Sequence, residues 1–407
     1  MNPFDANAEP ERRIRNRIES NGPITFAEFM EEAMYGDGGY YTRPRRISPE
    51  GDYFTSPSSH PAFGALIAVQ LRDFWELLGE PEVFDAVELG SGDGTLARDV
   101  TDYAATLGGA FYNALRYTGF DRAVSGPDQT GLPSGVTGCV LSNELLDAFP
   151  VHRFIIDDRE LRELYVAVED GILIESPGPV SDPEIGDRVS PYLPDLPDGY
   201  RGEVNLGLRA WADSVAEKID HGYVLTIDYG ETARELYRPS RSEGSLRAYY
   251  RHTLSGNPFQ HIGDQDLTAH VDFSAVDTEL SRAGFKPLGI TTQTAFLDRL
   301  GIRSFLAGLP GLGLPAGEVE KNRMPMLWLA RPDGLGRFKV TFHSRGIEAR
   351  TPIGLDSRGS GHDASLLPPV TLPDDDTHFD LAGGYTGAST EFTATWAELL
   401  GQDDEGE

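Results

Sequence analysis

Cysteine is nearly missing from this 407-residue chain: Cys139 stands alone. One thiol excludes an intrachain disulfide framework and any zinc or iron–sulfur site built on several cysteines. It also favours a reducing compartment. Long apolar runs are missing too, which argues against a membrane-spanning helix. The N-terminus, MNPFDANAEPERRIRNRIES, has mixed charge and lacks the apolar core of a secretory signal. These features together lead us to expect a cytoplasmic protein. Positive charge is scarce, with 35 Lys+Arg against 65 Asp+Glu and a formal net charge of −30. Such a surface repels phosphate backbones and anionic lipid. The nearest basic clusters, RRIRNR at 12–17 and RPRR at 43–46, are short. Nucleic acid and membrane are therefore not expected as partners, and the acidity speaks to solubility or to attraction of a basic partner.

What is present suffices for a large core. Hydrophobic residues make up 39% and aromatics 10% of the chain, and its length suits two or three domains or one large α/β domain with additions. Residues 9–20 read as a charged helix stopped by Asn21-Gly22-Pro23. Thr25 and Glu28 form a capping box for a helix with Phe26, Phe29, Met30 and Ala33 on its apolar face. A further helix covers 63–79. From about 83 the pattern becomes strand, glycine turn, helix and strand, a βαβ unit. Runs at 138–142, 151–156, 161–168 and 222–230 predict that the same sheet continues. The expected organisation is a helical cap over 1–82, an α/β core over 83–330 with insertions at about 169–203 and 231–275, and a partly irregular C-terminal extension over 331–407.

The segment VELGSGDGT at 87–95 carries the first chemical signal. A strand ends in Leu89, Gly90, Gly92 and Gly94 allow a tight turn and close ligand approach, and a helix follows. An ordinary strand-to-helix turn is the plain alternative. The dinucleotide fingerprint G-x-G-x-x-G is not met, because position 95 is Thr, and Asp93 places an anion where pyrophosphate would bind. S-adenosylmethionine has no phosphate and carries a sulfonium and an ammonium, which tolerate Glu88 and Asp93 nearby. Asp121, closing RYTGFD, stands where a carboxylate would accept hydrogen bonds from both ribose hydroxyls.

In CVLSNELLDAFPVHRF at 139–154 a strand ends in Ser142, and Asn143, Glu144 and Asp147 follow within five residues. Ligands of open parallel sheets bind beyond the carboxyl ends of strands. The same residues also suit a helix start. Asp228 in VLTIDYG is a third carboxylate at a strand end. His252, His261 and His270 fall nine apart, but nothing near them has liganding spacing, so no metal is expected.

With these residues in hand the chain resembles a known family, the MidA-like S-adenosylmethionine-dependent methyltransferases, whose mitochondrial members act in the assembly of respiratory complex I. The resemblance runs from about 20 to 330. It rests on FMEEAMYGDGGYY, GDYFTSP with FG at 63–64, VELGSGDGTLARDV, SNELLDAFPVHRF, VLTIDYG, LRAYYRHTLSGNPF, DLTAHVDFS and TQTAFLDRLGI, in that order. It implies a class I methyltransferase, Rossmann-like core with a helical N-terminal cap and inserted segments. It also implies S-adenosylmethionine as cofactor and an arginine of a partner protein, such as a subunit of complex I, as acceptor. Glu88, Gly90, Gly92, Gly94, Asp121 and Asn143 would then hold the cofactor. Asp52, Thr55 and Ser56 match the family's N-terminal loop, and Thr55 and Ser56 join the cofactor set. Asp266, Thr268, His270 and Asp272 match its downstream segment. The chain departs from the family at Ser91, usually Pro, and Asp121, usually Glu. It also departs at Ser58 and Ala65, often Glu, and at Ile262, often Pro. Loss of two acids near the N-terminal loop bears on substrate recognition more than on cofactor binding.

A guanidinium is protonated at ordinary pH, so its nitrogen must be aimed and its departing proton accepted. Glu144 is the expected clamp, Asp147 a second clamp or proton acceptor, and His270 an alternative base. The rivals are a cofactor-binding assembly factor without catalysis and, disfavoured by the glycine spacing, a nicotinamide-dependent oxidoreductase.

Overall fold

The computed structural model of the chain describes residues 8–42, 55–122, 133–250, 253–348, 350–356, 362–373 and 378. The expectations on Asp52, His252 and the RPRR cluster lie outside the described residues. The chain divides into two compact units, each assembled from three segments. Met1–Tyr53, Glu144–Ser214 and Tyr229–Ala283 form the first; Phe54–Asn143, Val215–Asp228 and Gly284–Glu407 form the second. The strands in chain order are β1 (Ile24–Thr25), β2 (Phe84–Leu89), β3 (Leu115–Phe120), β4 (Val136–Asn143), β5 (His152–Asp157), β6 (Glu160–Glu169), β7 (Ile172–Gly178) and β8 (Arg201–Val204). There follow β9 (Ile219–Asp228), β10 (Gly230–Glu231), β11 (Arg247–Tyr250), β12 (Thr253–Ser255), β13 (Asp266–Thr268), β14 (Val271–Asp272), β15 (Lys286–Thr292) and β16 (Lys339–Arg345).

The second unit is built on a six-stranded sheet of order β15-β16-β9-β4-β2-β3. β2 pairs parallel with β3 and β4, and β4 with β9, whereas β16 runs antiparallel to both β9 and β15. The helix Ala62–Leu77 lies against this sheet through Phe74, which stacks on Tyr223 at 4.1 Å and meets Phe342 edge-on at 6.2 Å. Its residues are buried nearly all round, and each large side chain so buried contributes about 1.5–3 kcal/mol. At Gly64 a β-carbon would strike Asp99, so glycine permits the close approach of the helix Thr95–Ala104.

Two expectations about organisation change. A helix apolar on every side is a core helix, and Ala62–Leu77 accordingly joins the sheet unit instead of capping it. The segment 331–407 supplies β16, inserted between β9 and β15, and its buried Phe342 packs edge-on against Phe74 and Phe296 of helices in the same unit.

The first unit holds the remaining strands. β5 and β6 do not continue the main sheet: with β1, β7 and β8 they form a second, antiparallel sheet. The reason is local. Asp157 pairs with Glu160 across the two-residue turn Asp158-Arg159, both at positive φ (50° and 66°). A turn of that kind forces an antiparallel hairpin, whereas a parallel partner needs a long crossover. Asp170-Gly171 repeats the device between β6 and β7, so 169–203 is partly regular, with β7, the helix Pro183–Val189 and β8. The helix Phe26–Tyr35 starts on the expected box: Glu28 N donates to Thr25 Oγ1 (3.1 Å) and Thr25 N to Glu28 Oε2 (2.9 Å). Such caps stabilise by about 1 kcal/mol. Phe26, Phe29 and Met30 then pack with Ile14, Val151, Val166 and Leu267 in one apolar core.

Candidate functional site

Strand order reverses at β2 in the second unit, since β3 lies on one side of it and β4 on the other. Such a switch point leaves a crevice at the carboxyl end of the strand. The glycine turn occupies that end, with Gly90, Gly92 and Gly94 at φ of 77°, 53° and 82°. Gly90 N and Ser91 N both donate to Phe120 O, at 2.8 and 3.1 Å, tying the turn to the end of β3. The second of these bonds is one that proline at 91 could not make. Gly92 N donates to Asp121 Oδ2 at 3.0 Å, and Asp93 Oδ1 accepts from Thr95 N at 3.0 Å, at the first residue of the next helix. Behind the turn Glu88 is 3% exposed and accepts a 2.9 Å hydrogen bond from the Tyr117 hydroxyl. Burial pushes its carboxyl up to about 7; Tyr117 opposes the shift, and the charges of Asp121 and Asp93 add to it. Tyr117 is a partner that the sequence reading missed, although strand alternation in RYTGF was the available signal.

Asn143 closes β4 and is 8% exposed. Leu89 pairs with Ser142, so the ends of β2 and β4 that carry Gly90 and Asn143 are neighbours. Asp228 ends β9, fully buried. Thr55 and Ser56 have structural partners: Thr55 Oγ1 accepts from Ser58 N and caps the turn Ser56–Ser59, while Gln293 Nε2 donates to Ser56 Oγ at 3.1 Å. Ser58, where the family often has Glu, completes that cap by accepting from Thr55 N.

The first unit brings together a different set. The turn Leu146–Ala148 is fixed by its carbonyls: Ala269 N donates to Asp147 O (2.9 Å), Asn205 Nδ2 to Leu146 O (3.3 Å) and the Tyr35 hydroxyl to Ala148 O (2.9 Å). Burial pushes the Asp147 carboxyl up to about 6, against a hydrogen bond from Tyr229 that favours the charged form. His270 meets the Tyr229 ring edge-on at 5.3 Å. Its Nδ1 lies 3.0 Å from Arg241, and because a guanidinium only donates, Nδ1 is the acceptor there. The proton of the neutral ring is then on Nε2, which makes His270 a donor and a poor candidate for the base. Tyr41 donates to Asp266 at 3.1 and 3.3 Å. Glu144 is half-buried and holds φ at 52°, a backbone state uncommon outside glycine and enriched at functional sites. The tyrosines were not singled out from sequence, where they stood only within the segment FMEEAMYGDGGYY that carries part of the family resemblance.

The second unit fits S-adenosylmethionine. A β-carbon on Gly94 would meet nothing within 4 Å, so the turn opens onto space. Asp121 places carboxylate oxygens beside it, and Glu88 and Asp93 give the surroundings the sign that a sulfonium and an ammonium need.

Comparison with known proteins agrees. The family model of S-adenosyl-L-methionine-dependent methyltransferases matches residues 66–122 and 127–291. The chain is 30% identical to a mitochondrial protein arginine methyltransferase NDUFAF7 homolog of Drosophila melanogaster, over 83% of this chain and 85% of that one. It is 25% identical to mitochondrial protein arginine methyltransferase NDUFAF7 of Homo sapiens, over 72% and 73%. A Burkholderia thailandensis structure solved with S-adenosyl-homocysteine bound superposes with a TM-score of 0.74 at 27% identity, covering 88% of this chain and 97% of that one. The mitochondrial names of these relatives overturn the cytoplasmic expectation. A polar N-terminus and a single cysteine bear only on secretory signals and disulfides, and do not tell one reducing compartment from another. The fold, the glycine turn and the match over most of the length lead to one conclusion: the chain belongs to the family of S-adenosyl-L-methionine-dependent methyltransferases.

Proposed function

We propose that this enzyme methylates an arginine of a partner protein, with a subunit of respiratory complex I as the acceptor that the family resemblance suggests. The observation that carries the reading is the end of β4. Ser142 pairs with Leu89 beside the glycine turn, and Glu144 follows two residues on, turned out of the strand by its positive φ. The names of the relatives support arginine as the acceptor.

Gly90, Gly92, Gly94, Glu88, Asp121 and Asn143 would hold the cofactor, with Ser56, held by Gln293, and Thr55, which caps the turn Ser56–Ser59, shaping the wall. When bound, S-adenosylmethionine supplies an electrophilic methyl group. Glu144 would grip the guanidinium by paired hydrogen bonds and so aim one nitrogen. Asp147, with its carboxyl raised to about 6, would accept the proton which that nitrogen sheds as its bond to the methyl carbon forms. His270 would donate from Nε2 and steady the acceptor. The test is transfer of isotope-labelled methyl groups to mitochondrial extract, followed by amino-acid analysis. Methylarginine on a complex I subunit with wild type, and none with a Glu144→Gln variant that still binds S-adenosylhomocysteine, is the expected result. Label on lysine would overturn the arginine assignment, and cofactor binding with no transfer would leave a scaffold.

A further inference from the structure

Side chains along β13 alternate between two environments. Leu267 turns into the apolar core with Val151, Val166 and Ala248, so Asp266 and Thr268 lie on the opposite face of the strand. Both are buried, at 2% and 3% exposed. Tyr41 reaches Asp266 from the segment Tyr40–Thr42 and donates to its carboxylate, while its ring stacks on Tyr35 at 5.4 Å and 24°. Asp147 also bears on Tyr41: desolvation first, then the charges of Asp266 and Asp147 among its neighbours, hold the phenol well above its ordinary value. One phenol is thus within electrostatic reach of two buried carboxylates. Among the described residues the Thr268 hydroxyl, on the face it shares with Asp266, has no hydrogen-bond partner.

A buried hydroxyl without a partner costs stability unless a ligand completes it. The group that suits this surface carries positive charge to offset two carboxylates, a plane to lie on tyrosine rings, and more donors than one carboxylate can use. A guanidinium meets all three conditions, with five N–H donors in one plane, whereas an ammonium is a compact point charge with three. We infer that Asp266, Thr268 and the Tyr35–Tyr41 stack form the pocket that selects a guanidinium over an amine as methyl acceptor. This rests on the arginine reading above and assigns its specificity to residues outside the Asn143–Asp147 segment.

The test is calorimetric titration of the full chain, saturated with S-adenosylhomocysteine, with N-acetyl-arginine methylamide and N-acetyl-lysine methylamide. The arginine probe should bind the wild type at least about tenfold more tightly than the lysine probe. Asp266→Asn should erase that preference. Thr268→Val removes only the hydroxyl, so it should keep or raise Tm and leave S-adenosylhomocysteine affinity unchanged, yet weaken the arginine probe by about three- to tenfold. A purely structural threonine would not separate those readouts, and this variant decides the matter if Asp266→Asn does not fold. If wild type prefers arginine and the folded variants match it, the pocket assignment is overturned alone. If wild type binds S-adenosylhomocysteine and shows no preference for arginine, the arginine reading falls with it.

Discussion

The Tyr117 hydroxyl donates a 2.9 Å hydrogen bond to Oε2 of Glu88, and this is a half-buried neutral donor on a buried acid directly behind the glycine turn. One phenol does not offset the loss of water, so the carboxyl is held near 7, with Asp121 and Asp93 adding to the shift.

Cofactor affinity should therefore depend on pH. S-adenosylmethionine carries positive charge and gains from an ionised Glu88, so its affinity should rise by up to about tenfold between about pH 6 and pH 8. Glu88→Gln should flatten that profile in calorimetric titration. The stability of the free protein should move the other way. With a folded value of about 7 above the ordinary 4.5, the native state binds the extra proton between them. The contribution is full below about pH 4.5 and is lost as pH rises through about 7, a change of up to about 3 kcal/mol. Glu88→Gln should accordingly melt higher than wild type at about pH 8 and not at about pH 4.5.

His60 predicts the opposite slope. It is fully buried, its Nδ1 accepts from Ala62 N and its Nε2 lies 3.1 Å from Asn322 Oδ1. Burial lowers it to about 4, with the Asn322 bond opposing. The stability it contributes is present above the unfolded value of 6.5 and lost as pH falls through about 4, again up to about 3 kcal/mol. The Tm difference between wild type and a folded His60→Gln should shrink as pH is lowered across that window.

Two glycines should separate space from structure. Gly94→Ala places a methyl where nothing lies within 4 Å, at φ 82°, so strain of about 1–2 kcal/mol is the whole stability cost. Cofactor affinity should nonetheless fall by about tenfold or more, because the methyl takes the space beside the turn. Gly138→Ala would drive a β-carbon into the Asp85 carbonyl inside the sheet, and thermal unfolding should show a loss of more than about 3 kcal/mol.

Asp147, if it accepts the proton, makes the rate rise with pH through about 6 to a plateau. Asp147→Asn should remove that limb and lower kcat by about 10²–10⁴-fold, while S-adenosylhomocysteine binding stays within about twofold. A retained limb in the variant would assign the proton to another group.

Asp121→Ala should weaken S-adenosylmethionine by at least about tenfold, or about 1.4 kcal/mol, in the same titration. It removes the carboxylate proposed for the ribose and also releases Gly92 N from its 3.0 Å bond, so the turn loses both a ligand group and an anchor.

Local chemistry was legible in the sequence because it depends on neighbours along the chain. The Thr25–Glu28 box, the helix with Phe26 and Phe29 inward, the strand into Leu89 and the glycines after it all follow from propensity and spacing within a few residues. Even the Asp170-Gly171 turn was available on that level, though the Pro- and Gly-rich stretch after it hid the hairpin.

Contacts between distant segments were decided by the tertiary structure alone. β16 comes more than a hundred residues after β9 and pairs with it along a backbone ladder from Lys339–Asp228 to Arg345–Gly222, a pairing that sets no spacing in the sequence. β5 and β6 look like further strands of one sheet, and only the sense of a two-residue turn sends them into another. Tyr41 and Asp266 lie 225 positions apart, and neither is unusual on its own. Burial raises the carboxyls of Glu88 and Asp147, and burial is a property of everything packed around a residue. The residue types that carry the chemistry can be read from the chain, whereas their partners and their protonation depend on solvent exclusion by the whole fold.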